Sequence, residues 1–129
     1  MQPGLRFTKK QRLLDSGEFQ AVFGDARLKV SCRTLLILAR PNESPHARIG
    51  LVVGKKHLKT AVQRNRVKRQ IRESFRHIQQ ELTGLDIIVL VRHGTIGEQD
   101  NQQVRGSIDR LWQDLIRRQR GQRTTTGKQ

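Results

Sequence analysis

One stretch, residues 60–82, constrains the fold of this chain more than any other part of its sequence. It reads TAVQRNRVKRQIRESFRHIQQEL. Because a helix advances about 100° per residue, its apolar side chains share one narrow stripe; they are Val67, Ile71, Phe75, Ile78 and Leu82. Thr60 and Gln63 have capping-box spacing, and Gly84 stands where a left-handed residue commonly ends a helix. The pattern predicts a helix packed on a core along one edge.

The flank of this predicted helix is strongly basic. Its polar surface carries Arg64, Asn65, Arg66, Lys68, Arg69, Arg72 and Arg76. Charges of mixed sign usually form a solvated face, but within residues 60–82 the first carboxylate is Glu73. Such crowding costs an isolated helix some stability through like-charge pairs. The pattern therefore favours a binding site for a polyanion.

Composition points to the same kind of partner. The 129 residues suffice for one domain with a modest core, and 26 lysines and arginines face 11 aspartates and glutamates. The formal net charge of +15 calls for an anionic counterpart. Nucleic acid is the first candidate and an anionic membrane surface is the second.

The membrane interpretation is the weaker of the two. No apolar run approaches the ~18 residues of a spanning helix, and the N-terminal segment lacks the apolar core of a signal peptide. Cys32 is the single cysteine, so the chain has no intrachain disulfide, and we expect that residue to fill a strand end. We expect a soluble cytoplasmic protein without membrane contact.

The remaining elements follow from local patterns. Asp15 can cap a short helix, with Glu18 three residues on and Leu14 stapled against Phe19. We expect that helix to bury Phe19, Val22 and Phe23 and to end at Gly24. A first strand is predicted within 27–40, with its apolar centre at 35–39. Two further strands cover 49–53 and 86–91, and a last helix covers about 102–119.

These elements predict an α+β sandwich in the order α-β-β-α-β-α. We expect 27–40 and 49–53 to pair as an antiparallel hairpin, and 86–91 to be buried on both faces because it is continuously apolar. If 49–53 and 86–91 are parallel, the helix between them forms a crossover, which is right-handed by the general rule. We expect one domain, ordered over about 8–119, with a disordered basic tail over 120–129.

Groups for catalysis are missing from the sequence. No glycine-rich phosphate loop occurs, and the four histidines, His46, His57, His77 and His93, lack metal-ligand spacing. Carboxylates do not cluster as a two-metal nuclease would favour, and we expect Asp86 and Asp109 to be structural. The residues suit a binding module better than an enzyme.

Arg64-Asn65-Arg66 would lie in the first turns of the helix. There, backbone N–H groups and the positive end of the helix dipole would help the two guanidinium groups to bind phosphate. Phe19 and Phe23 could stack unpaired bases, or they could both be core. A helix that reads DNA in the major groove remains possible, but the sequence contains no helix-turn-helix pair and no dimer signal.

The residues AVQRNRVKRQIRESFR closely resemble the RNR signature of the bacterial ribonuclease P protein subunit. RLLDSGEFQAVF resembles the family's first helix, RIGLVVGKK its strand before the crossover, and LDIIVLVRHG the strand after it. The resemblance covers about residues 10–118. It implies a ribonucleoprotein that removes the 5′ leader from precursor tRNA and leaves a 5′-phosphate. It also implies that a catalytic RNA with bound Mg²⁺ cuts the phosphodiester.

The resemblance replaces the default handedness with a left-handed β-α-β crossover around the RNR helix, in a two-layer sandwich. It implies one protein per catalytic RNA and a protein without catalytic residues; no metal-binding residue is predicted, and whether the protein itself binds Mg²⁺ stays open. The residues matching its catalytic-RNA site are Lys55, Lys56, Arg64, Asn65, Arg66, Lys68, Arg69 and Arg72. Those bordering its cleft for the single-stranded leader are Phe19 and Phe23, with the exposed face of the sheet as the floor.

Two departures from the family stand out. Lys59-Thr60 occupies a region where some members carry Gly-Asn, and the first cleft strand offers Leu35 to Leu38 where some members place tyrosine. No residue of that strand is therefore predicted to stack on the leader. The competing interpretation is an RNA-binding protein of the ribosomal or RNA-chaperone type.

Overall fold

A four-stranded sheet separates two long helices on one face from a short helix on the other. The computed structural model describes residues 16–126, with side chains over 17–121. The helices are α1 (Ser16–Gly24), α2 (Ala61–Ile78) and α3 (Asn101–Thr126), and the strands are β1 (Leu28–Ser31), β2 (Leu35–Pro41), β3 (Arg48–Val52) and β4 (Leu85–Val91). Two 3₁₀ turns, Gln79–Leu82 and Gly94–Glu98, follow α2 and β4.

Strand β4 is the centre of the sheet, whose order is β1-β2-β4-β3. It pairs antiparallel with β2 and parallel with β3. Every side chain of β4 is buried except that of Leu90, which is half-buried. The prediction of a strand buried on both faces is confirmed, and its apolar sequence suits the central position.

Two predictions about the strands were wrong. The segment 27–40 is two antiparallel strands, β1 and β2, because Ser31 to Thr34 interrupts the apolar pattern with a turn, in which the Cys32 N–H donates to the Leu35 carbonyl at 2.9 Å. The predicted hairpin between 35–39 and 49–53 does not form. Strand β4 lies between β2 and β3 and pairs with both, a long-range arrangement that local patterns do not encode.

The β-α-β crossover is present, since β3 and β4 are parallel neighbours joined through α2. The mixed α+β architecture with this crossover agrees with the predicted fold class. The left-handed sense of the crossover stays a prediction from the resemblance.

Helix α2 has the predicted ends. The Thr60 hydroxyl accepts a hydrogen bond from the Gln63 N–H at 3.1 Å, and Gly84 has a φ of +85°, the left-handed conformation expected after the helix. The last predicted turn is 3₁₀ in form, from Gln79 to Leu82. The buried stripe packs on the sheet and on α3, where the rings of Phe75 and Trp112 lie 6.0 Å apart.

Helix α3 is longer than predicted at both ends. It begins at Asn101 because Asp100 and Gln103 form a reciprocal cap: the Gln103 N–H donates to Asp100 Oδ1 at 2.7 Å, and the Asp100 N–H donates to Gln103 Oε1 at 2.9 Å. It continues to Thr126, beyond the predicted end at 119. Disorder of the tail in solution stays a prediction.

Helix α1 packs on the other face through a small apolar cluster. Val22 is fully buried against Ile88, and Phe19 is half-buried there. The prediction that Phe23 is buried was wrong, since 43% of it is exposed. One side of this short helix faces the sheet, and Val22 and Phe19 lie on that side, so Phe23 points away from it. The predicted cap by Asp15 and staple by Leu14 lie outside the described residues.

A polar contact also attaches α1 to the sheet. Arg48 donates two hydrogen bonds to the Asp86 carboxylate, at 2.8 and 2.7 Å, and a third to Glu18 of α1 at 2.5 Å. Hydrogen bonding to Asp86, strengthened by both carboxylate charges, raises the pKa of the Arg48 guanidinium above its ordinary value. Asp86 is buried and has the structural role predicted for it.

No helix within residues 16–126 combines the length and the apolar character that crossing a membrane requires.

Gly50→Ala should loosen the packing of α1. A Cβ at Gly50 would lie 2.5 Å from Cζ of Phe19, so the ring would have to move. Overpacking of this kind costs about 1–3 kcal/mol, which urea unfolding would measure. Gly106→Ala is the control, because a Cβ there meets nothing within 4 Å, and it should stabilise α3 by up to about 1 kcal/mol. Equal stability of the Gly50→Ala and native proteins would contradict this packing.

Candidate nucleic-acid interface

The N-terminal half of α2 lies where three other segments meet: the loop over 53–60, the Gly94–Glu98 turn and the start of α3. Parallel strands β3 and β4 both end at this edge of the sheet, which places the segments that follow them side by side. A groove of about 470 Å³ separates α2 from the start of α3. It is lined by Asn65, Arg66, Arg69, Gln70 and Asn101. Its lining is cationic and amide-rich, with no carboxylate.

Both RNR arginines, Arg64 and Arg66, are held by neutral oxygens. Arg64 Nη1 donates to the Leu58 carbonyl at 2.8 Å. Arg66 Nη2 donates to the Gly97 carbonyl and Nη1 to Asn101 Oδ1, each at 3.0 Å. A carbonyl or amide acceptor orients a guanidinium without cancelling its charge. The two cations are therefore fixed in place and still available to an anion.

Seven of the ten carboxylates within residues 17–121 form ion pairs away from this face. Ion pairs in the described range join them to arginines that include Arg27, Arg40, Arg48, Arg76, Arg105, Arg117 and Arg120. By contrast, Arg64, Arg66, Lys68 and Arg69 form no ion pair with any carboxylate of residues 17–121. Asn65, Arg69 and Arg72 are exposed. The predicted polyanion face therefore keeps the positive charge of Arg64, Arg66, Lys68 and Arg69.

The basic face ends one turn earlier than expected. Arg76 Nη2 donates to Glu73 Oε1 at 2.7 Å, so this arginine is neutralised within its own helix. Arg76 was predicted to extend the basic surface, and this pairing corrects that prediction. The cationic surface is the first three turns of α2 together with the preceding loop.

Lys55 and Lys56 lie in that preceding loop, and both are exposed. The loop packs closely on the Gly94–Glu98 turn, because a Cβ on Gly94 would stand 2.7 Å from the His57 carbonyl oxygen. The structure thus brings the two lysines to the same end of the molecule as Arg64 and Arg66, as predicted for a shared surface.

The predicted cleft lies on the opposite face of the sheet, and its two phenylalanines differ. Phe19 lies over Gly50 and is half-buried, so most of its ring serves the packing of α1. Phe23 is 43% exposed and offers a free aromatic surface. The core interpretation therefore holds mainly for Phe19, whereas the ring of Phe23 is available to a ligand.

The floor of this cleft is aliphatic. Leu36, Leu38, Val52 and Leu90 are half-buried on the sheet face that carries α1. Lys29, the exposed cross-strand neighbour of Leu38, adds a cation beside them. Sequence reasoning named no residue on this floor, although apolar side chains at successive positions of β2 indicated that both faces of that strand are in use.

The histidines and the cysteine do not form a metal site. His46, His77 and His93 are exposed, and the His93 ring accepts a hydrogen bond from the Thr95 N–H at 3.2 Å. Cys32 is half-buried, with Sγ 3.5 Å from the Thr34 hydroxyl. Nowhere in the described part of the chain do three His, Cys, Asp or Glu side chains come together as metal ligands would.

Comparison with known proteins finds relatives that match most of the chain. The family model described as Ribonuclease P matches residues 7–116. The ribonuclease P protein component of Marinobacter nauticus is 50% identical over 116 residues, which cover 90% of this chain and 86% of that relative. The counterpart from Pseudomonas aeruginosa is 49% identical over 111 residues, covering 86% of this chain and 82% of the relative.

Solved structures give the same match at the level of the fold. The RNase P protein of Staphylococcus aureus superposes with a TM-score of 0.73 at 29% identity, covering 80% of this chain and 93% of that one. The RNase P protein of Thermotoga maritima gives a TM-score of 0.68 at 30% identity, covering 82% and 96%.

Arg69→Ala should weaken binding to a bacterial ribonuclease P RNA roughly tenfold, the loss expected for one charge-assisted hydrogen bond. Because Arg69 is exposed and forms no ion pair with residues 17–121, the free energy of unfolding should change by less than about 0.5 kcal/mol. Filter binding and thermal melting measure the two quantities.

Arg117→Ala is the charge-matched control for this variant. Arg117 is exposed, pairs with Asp114, and lies about 24 Å along α3 from Asn101. At physiological salt, where screening acts over about 8 Å, its loss should change affinity by about twofold or less. Equal losses from both variants would show that net charge, and not the α2 face, determines binding.

Proposed function

The chain belongs to the ribonuclease P protein family and has that family's role of protein subunit, and we propose that α2 binds the catalytic RNA while the α1 side of the sheet binds the 5′ leader of precursor tRNA. The observation that carries the catalytic-RNA assignment is the row of cations on α2 without ion pairs in the described range, two of which are oriented by neutral acceptors. Arg64, Arg66, Lys68 and Arg69 keep their charge although the protein contains 11 carboxylates. A folded RNA supplies the missing anions at closely spaced phosphates.

Binding to the catalytic RNA uses two kinds of contact. Guanidinium forks bind phosphate oxygens in a bidentate way, and Arg64 and Arg66 are already oriented for this. Lys55 and Lys56 act as mobile point charges beside them. Asn65 is exposed in the same groove and has an amide that can accept or donate at a base edge or a ribose hydroxyl.

Leader binding uses the other face. A single-stranded RNA has bases that can stack on an aromatic ring, and Phe23 exposes one. The aliphatic floor formed by Leu36, Leu38, Val52 and Leu90 contacts any base without reading its hydrogen-bonding edge. The cleft therefore suits leaders of varied sequence. Phe19 holds α1 at the rim of this floor.

We assign the chemical step to the RNA subunit, which hydrolyses the phosphodiester with its bound Mg²⁺ and leaves a 5′-phosphate on the mature tRNA. Among the described side chains, no three His, Cys, Asp or Glu residues come together as metal ligands would. The contribution of this chain is binding energy and position: it neutralises RNA phosphates and holds the leader. One protein molecule can bind one catalytic RNA through α2 and one leader through the α1 side of the sheet, so we expect one protein per catalytic RNA.

Reconstitution tests the function directly. The purified chain, added to a bacterial ribonuclease P RNA at low Mg²⁺, should stimulate cleavage of precursor tRNA at the mature 5′ end, and the chain alone should cleave nothing. The physical reason is that protein cations replace part of the Mg²⁺ needed to neutralise RNA. Absence of stimulation would favour an RNA-binding protein of the ribosomal or chaperone type, and cleavage by the chain alone would show a protein active site.

Salt dependence tests the electrostatic basis of binding. Affinity for the catalytic RNA should fall linearly in a log–log plot against salt, because each neutralised phosphate releases counterions. Arg69→Ala should reduce the slope by about one, whereas Arg117→Ala should leave it unchanged. A slope near zero for the native protein would contradict phosphate binding by α2.

A further inference from the structure

The Gly94–Glu98 turn and Asn101 are not among the predicted RNA-binding residues, yet they contact Arg66 and the loop before α2. We propose that together they are a positioning element, which holds Arg66 and the loop over 54–58 in their RNA-binding arrangement. This inference rests on the proposed function, because it assigns those residues a role in catalytic-RNA binding. They act through Arg66 and the loop and do not contact the RNA as the main ligands.

The first contact is with Arg66. Its guanidinium spans two segments, donating to the Gly97 carbonyl of the turn and to Asn101 Oδ1 at the start of α3, each at 3.0 Å. Both acceptors are uncharged, so the arrangement fixes a long side chain while its charge remains. Asn101 is itself fixed, because the Asp100–Gln103 cap sets where α3 begins.

The second contact is with the loop before α2. A Cβ on Gly97 would stand 2.6 Å from Cδ2 of Leu58, whose side chain is 1% exposed. A Cβ on Gly94 would stand 2.7 Å from the His57 carbonyl. Glycine at both positions lets the turn approach the loop to within contact distance. The loop backbone in turn holds Arg64, through the Leu58 carbonyl.

The turn is itself held in place at two points. Ile96 is fully buried in the main core, and the His93 side chain caps the turn by accepting from the Thr95 N–H. A buried anchor and a capped start leave it little freedom. It therefore transmits the position of the end of β4 to the loop and to Arg66, and the cationic surface is preformed before RNA arrives. Preformed side chains lose less conformational entropy on binding.

Asn101→Ala tests the proposal without disturbing the core, since Asn101 is exposed. Releasing one rotamer-rich side chain should weaken binding to ribonuclease P RNA about two- to tenfold. Gln102→Ala, one residue along, exposed and without a contact to Arg66, is the matched control and should bind like the native protein. Thermal melting of each variant accompanies the affinity measurement.

Asn101→Asp gives a readout that a purely structural role would not produce. A carboxylate in the first turn of α3 interacts favourably with the helix dipole, so the thermal stability of the protein should be unchanged or higher. The same carboxylate would pair with Arg66 and compete with RNA phosphate. RNA affinity should therefore fall further than in Asn101→Ala while the protein melts at the same or a higher temperature.

A double-mutant cycle shows whether Asn101 acts through Arg66. In an Arg66→Ala background, Asn101→Ala should change affinity by less than about twofold, because no side chain remains to be positioned. Independent losses in the double variant would overturn the positioning role but leave the interface intact. Full affinity of Arg66→Ala alone would overturn the proposed interface and, with it, this inference.

Gly94→Ala tests the contact with the loop. The added methyl group must displace the His57 carbonyl, so RNA affinity should fall about threefold or more, whereas Gly106→Ala, the same change in open space, should not alter it. If Gly94→Ala folds and binds RNA like the native protein, the loop does not depend on the turn and the proposal fails for that segment.

Discussion

Where the carboxylates lie determines what the rest of this structure can do. The chain carries a net charge of +15, and its 11 acidic residues could have neutralised any of the arginines. Within residues 17–121, seven of them pair instead with arginines outside the first three turns of α2. Arg48 is the clearest case: it joins buried Asp86 of β4 to Glu18 of α1 and so docks a helix on the sheet. The consequence is a fold whose structural arginines are paired, while Arg64, Arg66, Lys68 and Arg69 of α2 form no ion pair within residues 17–121.

That face is useful because it is rigid. The apolar stripe of α2 fixes the helix against the sheet and α3, and the N-cap at Thr60 fixes where it starts. Neutral acceptors then hold Arg64 and Arg66. A guanidinium held by a carbonyl keeps its charge, whereas one held by a carboxylate loses most of it to its partner. The distinction explains how a folded domain can retain a dense cationic surface without leaving its side chains unordered.

The sequence predicted the local features well. The stripe and caps of α2, the buried character of β4 and the basic face from Arg64 to Arg72 all follow from spacing along the chain. Long-range features were less accessible. The placement of β4 between β2 and β3, and the exposure of Phe23, depend on pairing and packing between distant segments. The roles of Gly97 and Asn101 could not be predicted, because their contact with Arg66 joins residues more than 30 positions apart. The Asp100–Gln103 spacing was a readable sign of where α3 begins.

Site-directed hydroxyl-radical cleavage tests most directly which face meets the RNA. With Cys32 replaced by serine, a tethered Fe(II) chelate at Val62→Cys would sit on the outward side of α2, at a residue that is 78% exposed. The same chelate at Thr83→Cys, also exposed, would sit past the opposite end of that helix. In complex with the catalytic RNA alone, the chelate at position 62 should cut a small set of RNA nucleotides, and the one at position 83 should cut far more weakly. Equal cleavage from both sites, or cleavage from position 83 alone, would contradict the account.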